Sequence, residues 1–160
     1  MVTAATLLGS EIASFVRGPV SVFLGTVDAM GTPDAARVVG IAVVDQSRLR
    51  ILISERAATA RTNAQVGASV TVLVTDITSH RSVQWKGRVE RCGDSRSPGD
   101  TALMDHHVTA FREASSVVGL DPREAWKLFP TDGVPLVVLV EECFDQTPGP
   151  NAGQRVGAST

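Results

Sequence analysis

The stretch SVQWKGRVE, residues 82–90, alternates in the manner of a β-strand and decides much of the fold. Successive side chains of a strand point to opposite faces of its sheet. One face is apolar and consists of Val83, Trp85, Gly87 and Val89. The opposite face is polar and consists of Ser82, Gln84, Lys86, Arg88 and Glu90. That polar row is either solvated or lines a binding site, and the alternation alone leaves both readings open.

Five further segments have the composition of strands. They cover approximately residues 19–28, 34–44, 48–54, 69–76 and 134–144. Short turn-like connections join the first three, which predicts an antiparallel meander. Most of the strands precede the main helical stretch, and this order does not fit a parallel sheet with alternating helices. We therefore expect a mainly β fold with peripheral helices, a six-stranded antiparallel β-barrel whose closure removes exposed edges.

Helices are predicted around this barrel. Residues 1–18 form a short amphipathic helix, and residues 55–67 form another that Gly67 ends. Asp100 is the expected cap of a longer helix, in which Leu103, Ala110, Phe111, Ala114 and Val117 recur at helical spacing. Asp121 followed by Pro122 is a strong start signal for a short helix after it.

The chain is expected to be one domain over residues 1–160. Residues 94–130 are a helical insertion, and the Gly/Pro-rich residues 145–160 are a flexible tail. Several strands are apolar on both faces, such as residues 38–44 and 136–140, so one face needs a cover besides the barrel interior. A homodimer interface is the simplest cover.

Composition excludes several classes of protein. The 160 residues carry a formal net charge of -2 and no Lys/Arg-rich run, which argues against nucleic acid as a partner. No apolar run approaches the ~18 residues of a membrane span. The amino terminus lacks the basic start of a signal peptide, so we expect a cytoplasmic protein. Cys92 and Cys143 lie far apart and are expected to be thiols, although sequence does not exclude a disulfide.

Two places contain residues suited to anions. Arg37 opens the apolar run RVVGIAVV, so its guanidinium must reach water, a carboxylate such as Asp34 or Asp45, or a ligand anion. The stretch TARTN offers the hydroxyls of Thr59 and Thr62 and the cation of Arg61, which suit a phosphate. The same stretch also fits an ordinary solvated helix face.

Other site chemistries lack their motifs. The chain contains no HExxH, GxSxG, Walker loop or GxGxxG. His106 and His107 are adjacent on a helix and diverge by about 100°, so no metal site is expected there.

Taken together, the order of elements resembles the FMN-binding split-barrel family related to pyridoxamine 5'-phosphate oxidase. The resemblance lies in the stretches AARVVGI, ILISERAATARTNAQVGASVTVLV and SVQWKG. It implies a six-stranded split barrel that forms a homodimer and holds FMN at the subunit boundary. Residues 1–160 are then a single FMN-binding split-barrel domain.

The resemblance also implies which residues bind the cofactor. Arg37, with Val38 beside it, matches the family arginine that meets the FMN phosphate, and Ile53 and Ser54 match a pair that touches the flavin. The family's adjacent basic pair falls on Thr59 and Ala60, which leaves Arg61, with Thr62, as the nearest replacement. The polar row then faces the cofactor groove with the following members: Ser82, Gln84 and Lys86.

The function expected from the resemblance is an FMN-dependent oxidoreductase that acts on a small-molecule substrate or electron donor. The sequence identifies no catalytic acid or base. An alternative is a non-catalytic module that carries or senses flavin, haem or a deazaflavin.

Overall fold

Six antiparallel strands close into a barrel in the computed structural model, which describes residues 7–157. They are β1 (Val20–Val27), β2 (Pro33–Val43), β3 (Arg48–Ile53), β4 (Ser69–Asp76), β5 (Ser82–Cys92) and β6 (Val134–Asp145). The strand order is β3-β2-β1-β4-β5-β6, and pairing of β3 with β6 closes the barrel. The expected mainly β fold with a six-stranded antiparallel barrel is confirmed.

The alternation along each strand separates the interior of the barrel from its outer surface. On β5, Trp85 is fully buried and Val89 is 1% exposed, whereas Lys86 and Arg88 are exposed. The core takes inward residues from all six strands, including Val22, Leu24, Val38, Ile51, Ile53, Val72, Trp85 and Val138. Burial of this apolar surface is the main stabilising contribution to the fold.

Short helices complete the barrel core. The helix α1 (Ser10–Val16) buries Phe15 and Val16 in it, and α2 (Ala58–Asn63) buries Ala60. The expected helix over residues 55–67 is shorter because Ser54 holds the residues after it in a turn. The carbonyl of Ser54 accepts from the Ala57 amide, and its hydroxyl accepts from the Arg56 amide.

A second, smaller core lies outside the barrel. The helix α3 (Pro98–Ala114) packs mainly on β2, also contacts β1, and is joined to β3 by the Arg50–Asp100 pair. It is followed by α4 (Pro122–Ala125) and a 3₁₀ turn, Trp126–Leu128. This core consists of Val39, Leu52, Met104, Phe111, Ala125 and Phe129. It covers the barrel on the side centred on β2.

The two helix starts differ in how well the sequence predicted them. Asp121 caps α4 by accepting from the Arg123 amide, as expected. The cap of α3 is Ser97 and not Asp100, so that prediction was wrong. Asp100 is the third residue of a capping box with Ser97, and it also binds Arg50 through two hydrogen bonds of 2.6 and 2.8 Å. An acidic side chain is favoured both at the N-cap and within the first turn of a helix, and Asp100 occupies the second of these positions.

Part of the Gly/Pro-rich tail, residues 145–160, is paired with the sheet. Residues Gln154–Val156 form β7, which pairs with Cys143–Asp145 of β6. Since β3 pairs with β6 only as far as Leu139, the last residues of β6 lack a partner on that side, and β7 supplies one. The described part of the tail thus contains one short strand, and its flexibility stays a prediction.

Both cysteines, Cys92 and Cys143, are free thiols, as expected from their separation in the sequence.

Within residues 7–157, no helix has the length and hydropathy needed to cross a bilayer.

Candidate functional site

Outward side chains of five neighbouring strands line up across the barrel surface. Phe23 of β1 is the register partner of Arg37 on β2 and of Leu73 on β4. Leu73 is paired with Gln84 on β5, and Gln84 with Phe144 on β6. We call this set, Arg37, Phe23, Leu73, Gln84 and Phe144, the outer row. All five side chains are at least partly exposed, so the row is a surface of mixed aromatic, amide and cationic character.

Arg37 gives the outer row its charge. Its guanidinium lies 4.8 Å from the ring centre of Phe23 and 5.3 Å from that of Phe129, and it donates a 3.3 Å hydrogen bond to Ser21 Oγ. Burial lowers the pKa of Arg37 from its ordinary value. Among residues 7–157, none of the ion pairs involves Arg37, so neither Asp34 nor Asp45 neutralises it. A half-buried cation held by rings and one hydroxyl is suited to an anionic ligand.

A recess lies beside the outer row. The next outward positions in register are Ala35, Gly25, Thr71, Lys86 and Glu142. Gly25, Thr71 and Lys86 belong to the lining of a cleft of about 460 Å³. That volume lies within the range of small-molecule sites, roughly 300–1,000 Å³. Because Gly25 and Ala35 have minimal side chains, the strand backbones are accessible to a flat ligand.

The other side of the row carries hydroxyl groups. Ser21, Thr75 and Ser82 are in register across β1, β4 and β5. Thr75 Oγ1 and Ser82 Oγ are 2.9 Å apart, and Ser82 is 6% exposed. The segment after β6 contacts this side too, because Gln146 Nε2 donates a 2.9 Å hydrogen bond to Gln84 Oε1. The amide nitrogen of Gln84 remains available to an acceptor.

The structure brings four of the predicted cofactor residues to one face and places the others elsewhere. Arg37, Ser82, Gln84 and Lys86 are all on the outward surface just described. Val38 and Ile53 point into the barrel and are fully buried, so their side chains belong to the core. At 0% exposure, neither residue presents any surface to a ligand in this structure.

The remaining predicted residues follow β3. Val38 and Ile53 are the last register pair between β2 and β3, so Arg37 and Ser54 are the residues that flank this pair at the same end of the two strands, and Ser54 is 7% exposed. The Ser54 hydroxyl donates to Asp132 Oδ1 at 2.5 Å. Arg61 and Thr62 line a different cleft, of about 340 Å³, together with Cys92 and Asp94. Thr59 is exposed on α2 and belongs to the lining of neither cleft.

Sequence reasoning missed Phe23, Gly25 and Asp132. The alternation along β1 contained the signal for the first two, because both occupy outward positions of that strand. Asp132 lies 78 residues from Ser54 in the chain, and local patterns do not indicate a contact over that distance.

Solved structures with the same architecture identify the fold. HupZ of Group A Streptococcus is 15% identical over 91% of this chain and 98% of its own, with a TM-score of 0.56. A candidate pyridoxamine 5'-phosphate oxidase of Lactobacillus delbrueckii is 19% identical over 86% of this chain and 93% of its own, with a TM-score of 0.54. A conserved hypothetical protein of Mycobacterium tuberculosis is 16% identical over 88% and 86% of the two chains, with a TM-score of 0.51.

Neither the family models nor the curated proteins contain a match to this sequence. The structural likenesses are low in identity and establish the fold alone. At that level, the expected resemblance to the pyridoxamine 5'-phosphate oxidase-related split barrel is confirmed.

Proposed function

From the split-barrel fold that this chain shares with pyridoxamine 5'-phosphate oxidase-related proteins, we propose that it binds FMN on the outward face of the barrel and acts as a flavin-dependent oxidoreductase. The observation that carries the proposal is Arg37. Its guanidinium is half-buried at one end of the outer row, and none of the ion pairs among residues 7–157 includes it. Retaining a partly desolvated charge is unfavourable unless it meets an anion or function requires it.

The residues of this face fit the parts of FMN. The phosphate suits Arg37, whose guanidinium offers several N–H donors in a fixed geometry. The lining of the recess beside the row includes Gly25 and Gly87, whose lack of side chains leaves space for a planar ring. Gln84 provides an amide for the polar edge of that ring, and Lys86 provides positive charge near it.

Bound FMN supplies hydride transfer at ring nitrogen N5. The residues of this chain bind and orient the ligand. Lys86 contributes positive charge to a cleft whose lining also contains Asp34, Glu141 and Glu142, and the last two carboxylates are paired with Arg88 and Arg155. Thr59, Arg61 and Thr62 remain predicted contacts. Arg61 and Thr62 line a separate cleft and Thr59 lines neither, so all three are weaker candidates than Arg37.

A homodimer is part of the same proposal. Large apolar side chains are exposed at this side of the barrel, with Phe23 at 37%, Val27 at 46% and Met30 at 89% exposure. Exposed apolar surface that borders a ligand recess is a typical interaction surface. A second copy would cover these residues and enclose the recess.

The experiment is identification of the bound ligand. The purified protein is denatured, the released small molecules are analysed by mass spectrometry, and stripped protein is titrated with FMN. We expect FMN to be recovered or to rebind at one molecule per chain, with a dimer by light scattering. Recovery of haem or a deazaflavin, with no FMN binding, would exclude the proposal. Reduction of bound FMN by nicotinamide or another small donor distinguishes an oxidoreductase from a carrier.

A further inference from the structure

A short segment of this chain covers the end of the outer row where Arg37 lies. Residues 129–133, which we call the strap, connect the 3₁₀ turn Trp126–Leu128 to β6. The Phe129 ring lies over Arg37, and Asp132 binds Ser54, which lies at the same end of the β2–β3 pair as Arg37. The strap thus contacts both residues that the proposed ligand phosphate would approach.

Three donors converge on the Asp132 carboxylate. Its Oδ1 accepts from the Ser54 hydroxyl at 2.5 Å and from the Glu55 amide at 3.1 Å. Its Oδ2 lies 3.3 Å from Arg56 Nε. We call Ser54, the Glu55 amide and Arg56 the cradle. Ser54 is 7% exposed, so the hydroxyl is already positioned and largely removed from solvent.

A hydroxyl, a main-chain N–H and a guanidinium around one point are the donors that bind oxyanions in proteins. In this structure the Asp132 carboxylate occupies the cradle. A ligand phosphate bears more charge than a carboxylate and has more acceptor oxygens for the same donors. Ser54 follows Ile53, and Ile53 is paired with Val38 beside Arg37, so the cradle lies at the same end of the two strands as Arg37.

We propose that the cradle is a phosphate-binding site and that Asp132 occupies it as an internal competitor. This inference rests on the proposed function and deepens it. A phosphate-bearing ligand then binds in two modes. With the strap in place it contacts Arg37 alone, and with Asp132 displaced it also contacts Ser54, the Glu55 amide and Arg56.

The main chain of the strap is held in place, whereas the Asp132 side chain is partly exposed and can be displaced from the cradle. The ends of the strap are held firmly, because Phe129 packs on Phe111 with ring centres 5.0 Å apart and a Cβ on Gly133 would meet Met104 Sδ at 2.9 Å. Between them, the Thr131 carbonyl accepts a 2.7 Å hydrogen bond from Arg96, so the main chain is held there as well, whereas the Asp132 side chain is 23% exposed. The Arg56 side chain is 89% exposed, and ion pairs at such exposure are weak.

The test compares phosphate and flavin binding in the full-length protein and its Asp132→Ala variant. Affinity for inorganic phosphate and for FMN is expected to increase at least tenfold in the variant, because the competitor is gone. Affinity for riboflavin, which has no phosphate, is expected to remain within twofold. Adding Ser54→Ala to the variant should remove the gain. Asp105→Ala is the matched control, since it deletes an exposed aspartate on α3 outside the cradle.

The outcomes separate the two proposals. Phosphate and FMN affinities that stay within twofold in Asp132→Ala would show that Asp132 is a structural tether, and the inference would fall. A gain for inorganic phosphate with no binding of either flavin would uphold the cradle and refute the FMN proposal. If Asp132→Ala does not fold, Asp132→Asn keeps the shape but removes the charge. We then expect an increase of at least threefold in phosphate affinity, and no increase would overturn the inference.

Discussion

Replacement of Arg37 by Met separates ligand binding from stability. Met fills much of the volume of the Arg side chain and removes its charge and its donors. In the unliganded protein, the change loses two ring contacts and a long hydrogen bond of 3.3 Å to Ser21. Each ring contact contributes about 0.5–1 kcal/mol. The change also removes a half-buried charge, which offsets that loss, so we expect the free energy of unfolding to change by at most about 1 kcal/mol.

The effect on FMN binding should be much larger. A hydrogen bond to a charged group contributes about 1.5–3 kcal/mol, which corresponds to a roughly ten- to 150-fold increase in Kd. Flavin fluorescence in titrations of stripped protein gives the Kd for FMN and for riboflavin. We expect Arg37→Met to weaken FMN and to leave riboflavin within threefold.

The control is Arg123→Met, because the Arg123 side chain is 88% exposed and pairs with Asp121 at the start of α4. It should change neither affinity. An Arg37→Met protein that binds FMN within twofold of the unmodified protein would refute phosphate binding by Arg37. Equal losses for FMN and riboflavin would show that Arg37 contacts the ring and not the phosphate.

The other predictions concern the recess, His107 and Asp100. Gly25→Val should weaken the binding of FMN and of riboflavin alike, at least tenfold. Thermal stability should be retained, because a Cβ at this position makes only an ordinary 3.6 Å contact with Thr71. Unchanged flavin affinity would remove the recess from the site. Burial lowers the pKa of His107 from 6.5 to about 4, so this group remains neutral in the folded protein while it protonates in the unfolded chain. Stability should therefore fall by about 2 kcal/mol between pH 7 and pH 5, as measured by urea denaturation, and His107→Leu should abolish most of that change. The Arg50 hydrogen bonds lower the pKa of Asp100 to about 2, so the stability that its charge provides is lost only as the pH falls from 3.8 toward 2. Asp100→Asn should lower the free energy of unfolding at pH 7 by about 2–4 kcal/mol. A decrease below about 1 kcal/mol would contradict an important role for the Arg50–Asp100 pair.

The strands were predictable because their period is short and their inward residues must be apolar. The alternation in residues 82–90 placed Trp85 inside and Gln84 outside, and the structure agrees. The start of α4 was predictable for a similar reason, since Asp121 and Pro122 act locally. The barrel closure itself depends on pairing between β3 and β6, which are distant in sequence, and was inferred from the need to avoid open edges.

The site was less predictable because it is assembled by register between strands. Nothing local places Arg37 next to Phe23 or aligns Leu73 with Gln84. Ser54 was predicted as a ligand contact from the family resemblance, whereas its hydroxyl binds Asp132 from a loop far along the chain. The cap of α3 was misassigned although Ser97 and Asp100 have the three-residue spacing of a capping box, which is a local pattern. The second partner of Asp100, Arg50, belongs to a distant strand and had no local signal.

A crystal structure of the protein grown with FMN tests the central claim most directly. We expect the phosphate of FMN within hydrogen-bond distance of the Arg37 guanidinium and the ring in the recess over Gly25, with Gln84 at its polar edge. A structure at saturating FMN with that face empty, and with Arg37 paired to a carboxylate or turned to solvent, would contradict it.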